Sequence, residues 1–319
     1  MIGKALREGK QYMNPVPTSV GGWSTFFYVL WAYLTNREER TPKRPPGPFR
    51  TDTRIYNDPP ASGLRVTWMG HSSSLLEIDG VRVLIDPVWE QRAAPFEWAG
   101  PKRFFAPPLR LEEMPRIDVV LLSHDHYDHC DMPTLRRLAR RDYPQVVAPI
   151  GHRRLLAAAG LPRVVELDWW EAGEPLPGVE VTLVPSRHWS RRMPISTNTR
   201  LWGGFMVRTG GRLAYFVGDS GYDEALFSEI GRRFGPPDLA MIPIGAYEPR
   251  WFMSAAHMNP AEAMRVHRDV GSRLSVAMHW GTFQLTDEAR EDPVRALREA
   301  GGEADGNFRV LGIGESITA

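Results

Sequence analysis

The sequence is short of cysteine, of excess charge and of long apolar runs, and each shortage removes a class of protein. A single cysteine in 319 residues, Cys130, excludes an intrachain disulfide framework. Lys and Arg number 39 against 38 Asp and Glu, a net charge of +1, which argues against broad electrostatic capture of nucleic acid. The apolar run near the N-terminus is too short to span a bilayer and no small-residue cleavage pattern follows it, so neither a transmembrane helix nor a signal peptide is expected. The expected location is cytoplasmic or peripheral on a membrane. With 42% hydrophobic and 24% charged residues, the chain has the composition of a globular enzyme able to bury a substantial core.

What the chain has in abundance is a knot of metal-binding side chains. His124-Asp125-His126-Tyr127-Asp128-His129 follows an apolar run, Ile117 to Leu122, that reads as a buried strand. His124 and His126, two apart, are aimed at one point by an extended or turning backbone; Asp128 and His129 need a tight turn that aims them at a second point. Imidazole with carboxylate suits zinc and tolerates manganese or iron. One ion needs three or four protein ligands, so this many donors point to two ions if other segments contribute. Cys130, beside His129, reads as a small buried residue rather than a ligand.

Residues 1–60 form an arm distinct from the domain at 61–319. In the arm, Trp23, Phe26, Phe27, Leu30, Trp31 and Leu34 fall on one face of a helix. Two readings compete for it: packing on protein, or contact of residues 21–36 with a membrane interface, where Arg37, Arg40, Lys43 and Arg44 meet anionic lipid.

From residue 61 on, strands and helices alternate. Leu64 to Met69, Leu75 to Ile78 and Val81 to Ile85 read as strands, with Asp79-Gly80 as a hairpin turn. Helices are expected after Asp131 or Met132, over Arg153 to Ala159, over Glu224 to Arg233, after the Asn259 cap and after Asp292. The order strand, helix, strand, helix, strand predicts an α/β sandwich with helices outside. Strands end at His71, Asp86, His188, Asp219 and His279. An aspartate at the end of an apolar strand is costly to bury unless paired or metal-bound, which makes Asp219 a candidate ligand shared by two ions. His71 and Asp86 lie where they can orient ligand histidines from behind. His267 shares a helix face with Met264 and Val270 and reads as core packing.

The pattern His-x-His-x-Asp-His with a later His, Asp and His resembles the metallo-β-lactamase superfamily. The stretches Asn14-Pro15, Gly100-Pro101-Lys102-Arg103-Phe104, Glu166 to Trp170, Ile242 to Met253 and His279 to Phe283 resemble its N-acylphosphatidylethanolamine-hydrolysing phospholipase D branch. The resemblance implies a four-layer αββα fold. It also implies one zinc on His124, His126 and His188, a second on Asp128, His129 and His279, and Asp219 between them. His257 matches a substrate-side histidine of the family, whereas Ala256 stands where the family has glutamine. The function it implies is zinc-dependent hydrolysis of an N-acylated ethanolamine phospholipid to an N-acylethanolamine and phosphatidic acid, with Asp219 and His257 in the catalytic apparatus. Other readings are a dinuclear hydrolase of a lactone, β-lactam or soluble phosphodiester, and a non-catalytic membrane-associated zinc protein. Acyl preference and homo-oligomer formation are left open.

Overall fold

The computed structural model describes residues 2–16, 18, 28, 31, 35, 40–304 and 306–319. Most of the helix expected over 21–36 lies outside the described residues; Tyr28, Trp31 and Thr35 are helical. The arm begins with a small antiparallel hairpin, β1 (Arg7–Glu8) and β2 (Gln11–Tyr12).

The first large sheet starts with an antiparallel meander, β3 (Leu64–Gly70), β4 (Ser73–Ile78) and β5 (Val81–Ile85). Parallel strands β6 (Val119–Leu121), β7 (Gln145–Pro149) and β8 (Val164–Leu167) extend it. The second sheet runs β9 (Ala172–Leu176), β10 (Val179–Val184), β11 (Gly204–Thr209) and β12 (Arg212–Phe216) antiparallel. It continues in parallel with β13 (Leu239–Pro243), β14 (Ser275–Met278) and β15 (Phe308–Arg309). The chain then crosses back, and β16 (Ser316–Thr318) pairs with β3. Each sheet therefore has seven strands, in the orders β16-β3-β4-β5-β6-β7-β8 and β15-β14-β13-β12-β11-β10-β9.

Why two sheets stack between helices is visible in the alternation of single strands. Val83, Ile85, Val119 and Leu121 pack in one core with Val181, Leu183, Phe205 and Val207 of the other sheet. Their neighbours Leu84, Val120 and Leu122 point the other way, onto Leu135, Leu138 and Leu156. Successive strand residues face opposite sides, so strands that are apolar throughout need cover on both. Helices α1 (Met132–Arg141) and α2 (Arg153–Ala157) supply it on the first sheet. On the second, α3 (Glu224–Phe234) contributes Leu226, Phe227 and Ile230. Beyond the four-residue α4 (Arg250–Met253), α5 (Pro260–Asp269) adds Ala263, Met264 and Val266, and α6 (Asp292–Glu299) packs alongside it. The result is the αββα sandwich.

Local details differ from expectation for physical reasons. The strand expected over 117–122 is only Val119–Leu121 long; before it, the Ile117 N–H donates to the Asp142 carboxylate rather than to a neighbouring strand. Asp131 stands at the α1 cap position without capping it; its carboxylate accepts instead from the Trp89 and Glu90 N–H groups and the Thr134 hydroxyl. Asn259 forms the expected reciprocal cap with Glu262. Strand β9, Ala-Gly-Glu-Pro-Leu, carries no strand signature and is tolerated because it sits at a sheet edge.

Candidate metal centre

Six strand ends deliver the chemistry. His71 follows β3, Asp86 follows β5, the 123–129 turn follows β6, His188 follows β10, Asp219 follows β12 and His279 follows β14. His71, Asp86 and His279 all sit at positive φ, 55°, 41° and 61°. Such backbone costs a non-glycine residue about 1–3 kcal/mol and clusters where surrounding structure enforces it. The loop after β13 approaches so closely that a Cβ on Gly245 would lie 2.1 Å from the His279 carbonyl oxygen, so only glycine fits.

The structure brings all the expected ligands together. His126 Nδ1 lies 3.0 Å from His124 Nε2 and 3.2 Å from His188 Nε2. On the other side, His129 Nε2 is 3.5 Å and His279 Nε2 3.8 Å from Asp128 Oδ2. Asp219 Oδ2 stands between the two groups, 3.1 Å from His279 Nε2, 3.3 Å from His129 Nε2 and 3.8 Å from His188 Nε2. Tetrahedral zinc with bonds near 2.0–2.1 Å sets its ligands roughly 3.3 Å apart. These separations scatter around that value. His129 Nε2, His279 Nε2 and Asp219 Oδ1 are buried with no hydrogen-bond partner. Converging lone pairs left orphaned in the interior are what a divalent cation satisfies.

Hydrogen bonds behind the rings decide which nitrogens face inward. Asp86, fully buried, accepts from the Ser123 N–H at 2.8 Å, the Ser123 hydroxyl at 2.5 Å and His129 Nδ1 at 2.7 Å. Ser123 Oγ is also 2.9 Å from His124 Nδ1. His188 Nδ1 is 3.1 Å from the Ala256 carbonyl. Each of these Nδ1 atoms meets an oxygen acceptor and holds a proton, so Nε2 is the nitrogen turned to the centre; on His129 a cation must first displace a second proton from it.

The electrostatics divide the site. Burial pushes the His124 ring far below the usual imidazole range, His126 down to about 3 and His188 down to about 4, so this group is neutral at physiological pH. His129 goes the other way: burial opposes its charge, but the Asp219 and Asp128 carboxylates outweigh burial and hold the ring well above the ordinary value. Burial also opposes the charge of Asp128 and Asp219, and neighbouring histidines, His129 foremost, nevertheless keep both carboxyls well below theirs.

Above the centre lies a pocket of about 180 Å3 whose floor is His126, Asp128, Asp219 and His257 and whose walls include Trp189, Phe252, Met253 and Leu285. His257 Nδ1 is 3.9 Å from Asp219 Oδ2 and has no hydrogen-bond partner. Burial holds its ring far below the imidazole range. His71 bonds the Asp128 carboxylate at 2.9 Å, so it orients a carboxylate rather than a histidine. Cys130 is fully buried, and burial raises its thiol to about 12.

Several contributors escaped the sequence reading. Ser123 links Asp86 to His124. Arg192 donates to the carbonyls of Asp125 at 3.0 Å and Cys130 at 2.7 Å, bracing the ligand turn. Arg200 pairs with buried Asp125 at 2.7 Å. Only the position of Ser123, next to His124, carried any local signal.

Two stacked mixed sheets with His and Asp donors at one set of strand ends define a metal-binding αββα protein, and the relatives that follow make it a metal-dependent hydrolase. The sequence matches the family described as "Beta-lactamase superfamily domain" over residues 81–280. An N-acyl-phosphatidylethanolamine-hydrolyzing phospholipase D of Caenorhabditis elegans is 42% identical over 249 residues, 75% of this chain and 70% of that protein. A mitochondrial protein of the same description from Saccharomyces cerevisiae is 34% identical over 247 residues, 75% of this chain but 53% of its own length. Among solved structures, the metallo-hydrolase Igni18 of Ignicoccus hospitalis superposes with a TM-score of 0.61 at 22% identity, over 80% of this chain and 98% of that one. The chain belongs to the metallo-β-lactamase superfamily, in the branch of the N-acyl-phosphatidylethanolamine-hydrolysing phospholipase D.

Proposed function

We propose that the protein is a dinuclear zinc phosphodiesterase of phospholipase D type that hydrolyses N-acylphosphatidylethanolamine-like lipids to N-acylethanolamine and phosphatidic acid. The observation that carries the reading is Asp219 Oδ2 standing within 3.1–3.8 Å of ring nitrogens from both donor groups. A structural zinc site is closed and needs no carboxylate shared in this way. His124, His126 and His188 would hold one ion, Asp128, His129 and His279 the other, and Asp219 both. When bound, the pair supplies a water acidified to near neutrality and a positive field for the phosphoryl oxygens.

The chain's own groups do the rest. Asp86 and His71 hold His129 and Asp128 in place from behind. His257, neutral through burial, lies in the floor of the pocket as a hydrogen-bonding group for a phosphoryl or leaving oxygen rather than as a source of a proton. Trp189, Phe252, Met253 and Leu285 keep water from the reacting phosphodiester and suit an acyl amide. Hydrolysis breaks the bond between phosphorus and the ethanolamine oxygen; the hydroxyl of water stays on phosphatidic acid and its proton leaves with the N-acylethanolamine.

Membrane contact through residues 21–36 belongs to the same reading. Tyr28 packs edge-on against Trp251 at 5.3 Å, next to Phe252 in the pocket wall. Among the described residues no helix is long and apolar enough to cross a membrane. The test is turnover of N-acylated phospholipid in mixed micelles, beside a soluble phosphodiester and a lactone, for the wild type and Asp219→Asn. The lipid is the expected preferred substrate, and the variant is expected to lose at least about a hundredfold in kcat. Preference for either soluble substrate, or undiminished turnover by the variant, refutes the assignment.

A further inference from the structure

The segment that follows His188 has two sides. Its inner side grips the metal-binding turn: Arg192 bonds the Asp125 and Cys130 carbonyls, its guanidinium lies 4.1 Å from the Tyr127 ring centre, and the Tyr127 hydroxyl donates to the Arg192 carbonyl at 2.9 Å. Its outer side is a single 3-10 turn, Pro194–Ser196, that thrusts two large apolar side chains into solvent. Ile195 is 93% exposed and Met193 58%. The turn is not a slack loop, since the Ser196 hydroxyl accepts from the Met193 N–H at 2.9 Å and donates back to the Met193 carbonyl at 3.0 Å. Met193 and Ile195 together make a small apolar tip, held in shape, of the kind an interfacial lipid layer can take up.

The position of the tip points to the same layer. The segment leaves the pocket at Trp189, and exposed Arg191 holds its guanidinium 4.8 Å from the Trp189 ring. Elsewhere in the pocket lining, Phe252 and Met253 follow Trp251, which is 62% exposed. Exposed apolar side chains thus extend from two of the segments that line the pocket. The pocket, about 180 Å3, is smaller than the several hundred Å3 that enclose an ordinary small ligand. It has room for the phosphodiester and its surroundings but not for the chains of a phospholipid, which stay outside. A protein partner on these residues would cover the opening; a lipid surface would feed it.

We propose that residues 189–197 form a lipid-docking turn, with Ile195 and Met193 entering the interfacial layer and Arg191 meeting anionic head groups. The choice of lipid rests on the substrate reading above, but its test does not use turnover. Full-length, metal-loaded protein is floated with vesicles of phosphatidylcholine, alone or with phosphatidylglycerol, containing no substrate. The double variant Met193→Ser, Ile195→Ser is expected to partition about tenfold more weakly into both. Arg191→Glu is expected to weaken binding to the anionic vesicles only. Ile195→Cys, carrying a polarity-sensitive dye, reads the tip directly, because the native thiol of Cys130 is fully buried; its emission is expected to shift to the blue on vesicle addition. Wild-type protein that ignores both vesicles, a double variant that binds as the wild type does, or a dye that does not shift overturns the proposal. Docking without turnover of N-acylated phospholipid would leave the turn in place and remove the substrate reading. Turnover in mixed micelles without docking would do the reverse.

Discussion

Asn14 and His188, 174 residues apart, are joined by two hydrogen bonds: the Asn14 amide donates to the His188 carbonyl at 2.8 Å, and the His188 N–H donates to the Asn14 side-chain oxygen at 3.0 Å. The arm thereby fixes the backbone of a residue whose ring faces the metal centre. Tyr12 N–H adds a bond to the Asn198 carbonyl at 2.7 Å, holding the far end of the same segment. Asn14→Ala is expected to lower metal affinity by about tenfold or more, as loss of a group supporting a ligand does. Chelator competition on the folded protein checks it; unchanged affinity would show that His188 is held without the arm.

Asp86 tests the other support. Three donors point at its carboxylate: the Ser123 N–H, the Ser123 hydroxyl and His129 Nδ1–H. Asn at this position offers a single oxygen, so one donor must face an amide N–H in a fully buried place. Asp86→Asn is expected to cost about 1–3 kcal/mol of stability, the penalty of a buried unsatisfied group. Metal retention should fall by about 10–100-fold. Thermal unfolding and metal analysis measure the two effects.

Metal uptake should depend on pH differently in the two halves. His126 and His188, at about 3 and about 4, are already neutral above pH 5, and His124 is lowered in the same direction, so protons do not compete for that group. His129 is held well above 6.5 by Asp219 and Asp128 against the pull of burial, so near neutrality it carries a proton that a cation must displace. Affinity of the Asp128, His129 and His279 group should therefore rise with pH by about tenfold per unit below the raised His129 value, while the other stays flat. Calorimetry in buffers of different ionisation enthalpy reads the released proton. Two events with equal and flat pH dependence would contradict this division.

Met253 lines the pocket wall and is not one of the metal-binding side chains. Met253→Trp fills much of a space of about 180 Å3 and is expected to reduce kcat/KM for the lipid by about tenfold or more through misplacement of the phosphodiester. Metal content should stay at the wild-type level. Steady-state kinetics beside metal analysis separates the two effects.

The local and the repetitive were legible in the chain. The 124–129 cluster announces itself within six residues, and strand ends at Asp219 and His279 follow from apolar runs that stop at a polar residue. The αββα layering followed from the order of elements and, more firmly, from the resemblance. What stayed hidden depends on partners distant in sequence. Nothing near Asn14 says that it will meet His188, and nothing near Arg192 says that it will reach back to Asp125 and Cys130. Strand β16 was missed because it exists through pairing with β3 across almost the whole domain. The left-handed backbone at His71, Asp86 and His279 likewise arises from packing at the sheet rim, not from local preference.

In the proposed site, side chains from four separate segments would hold a pair of ions with Asp219 between them. Anomalous diffraction at the zinc edge on crystals of the zinc-loaded protein tests it most directly. Two peaks are expected, one among His124, His126 and His188 and one among Asp128, His129 and His279, each with the Asp219 carboxylate within about 2.0–2.2 Å. A single peak, or two peaks with Asp219 turned away from either, would contradict it.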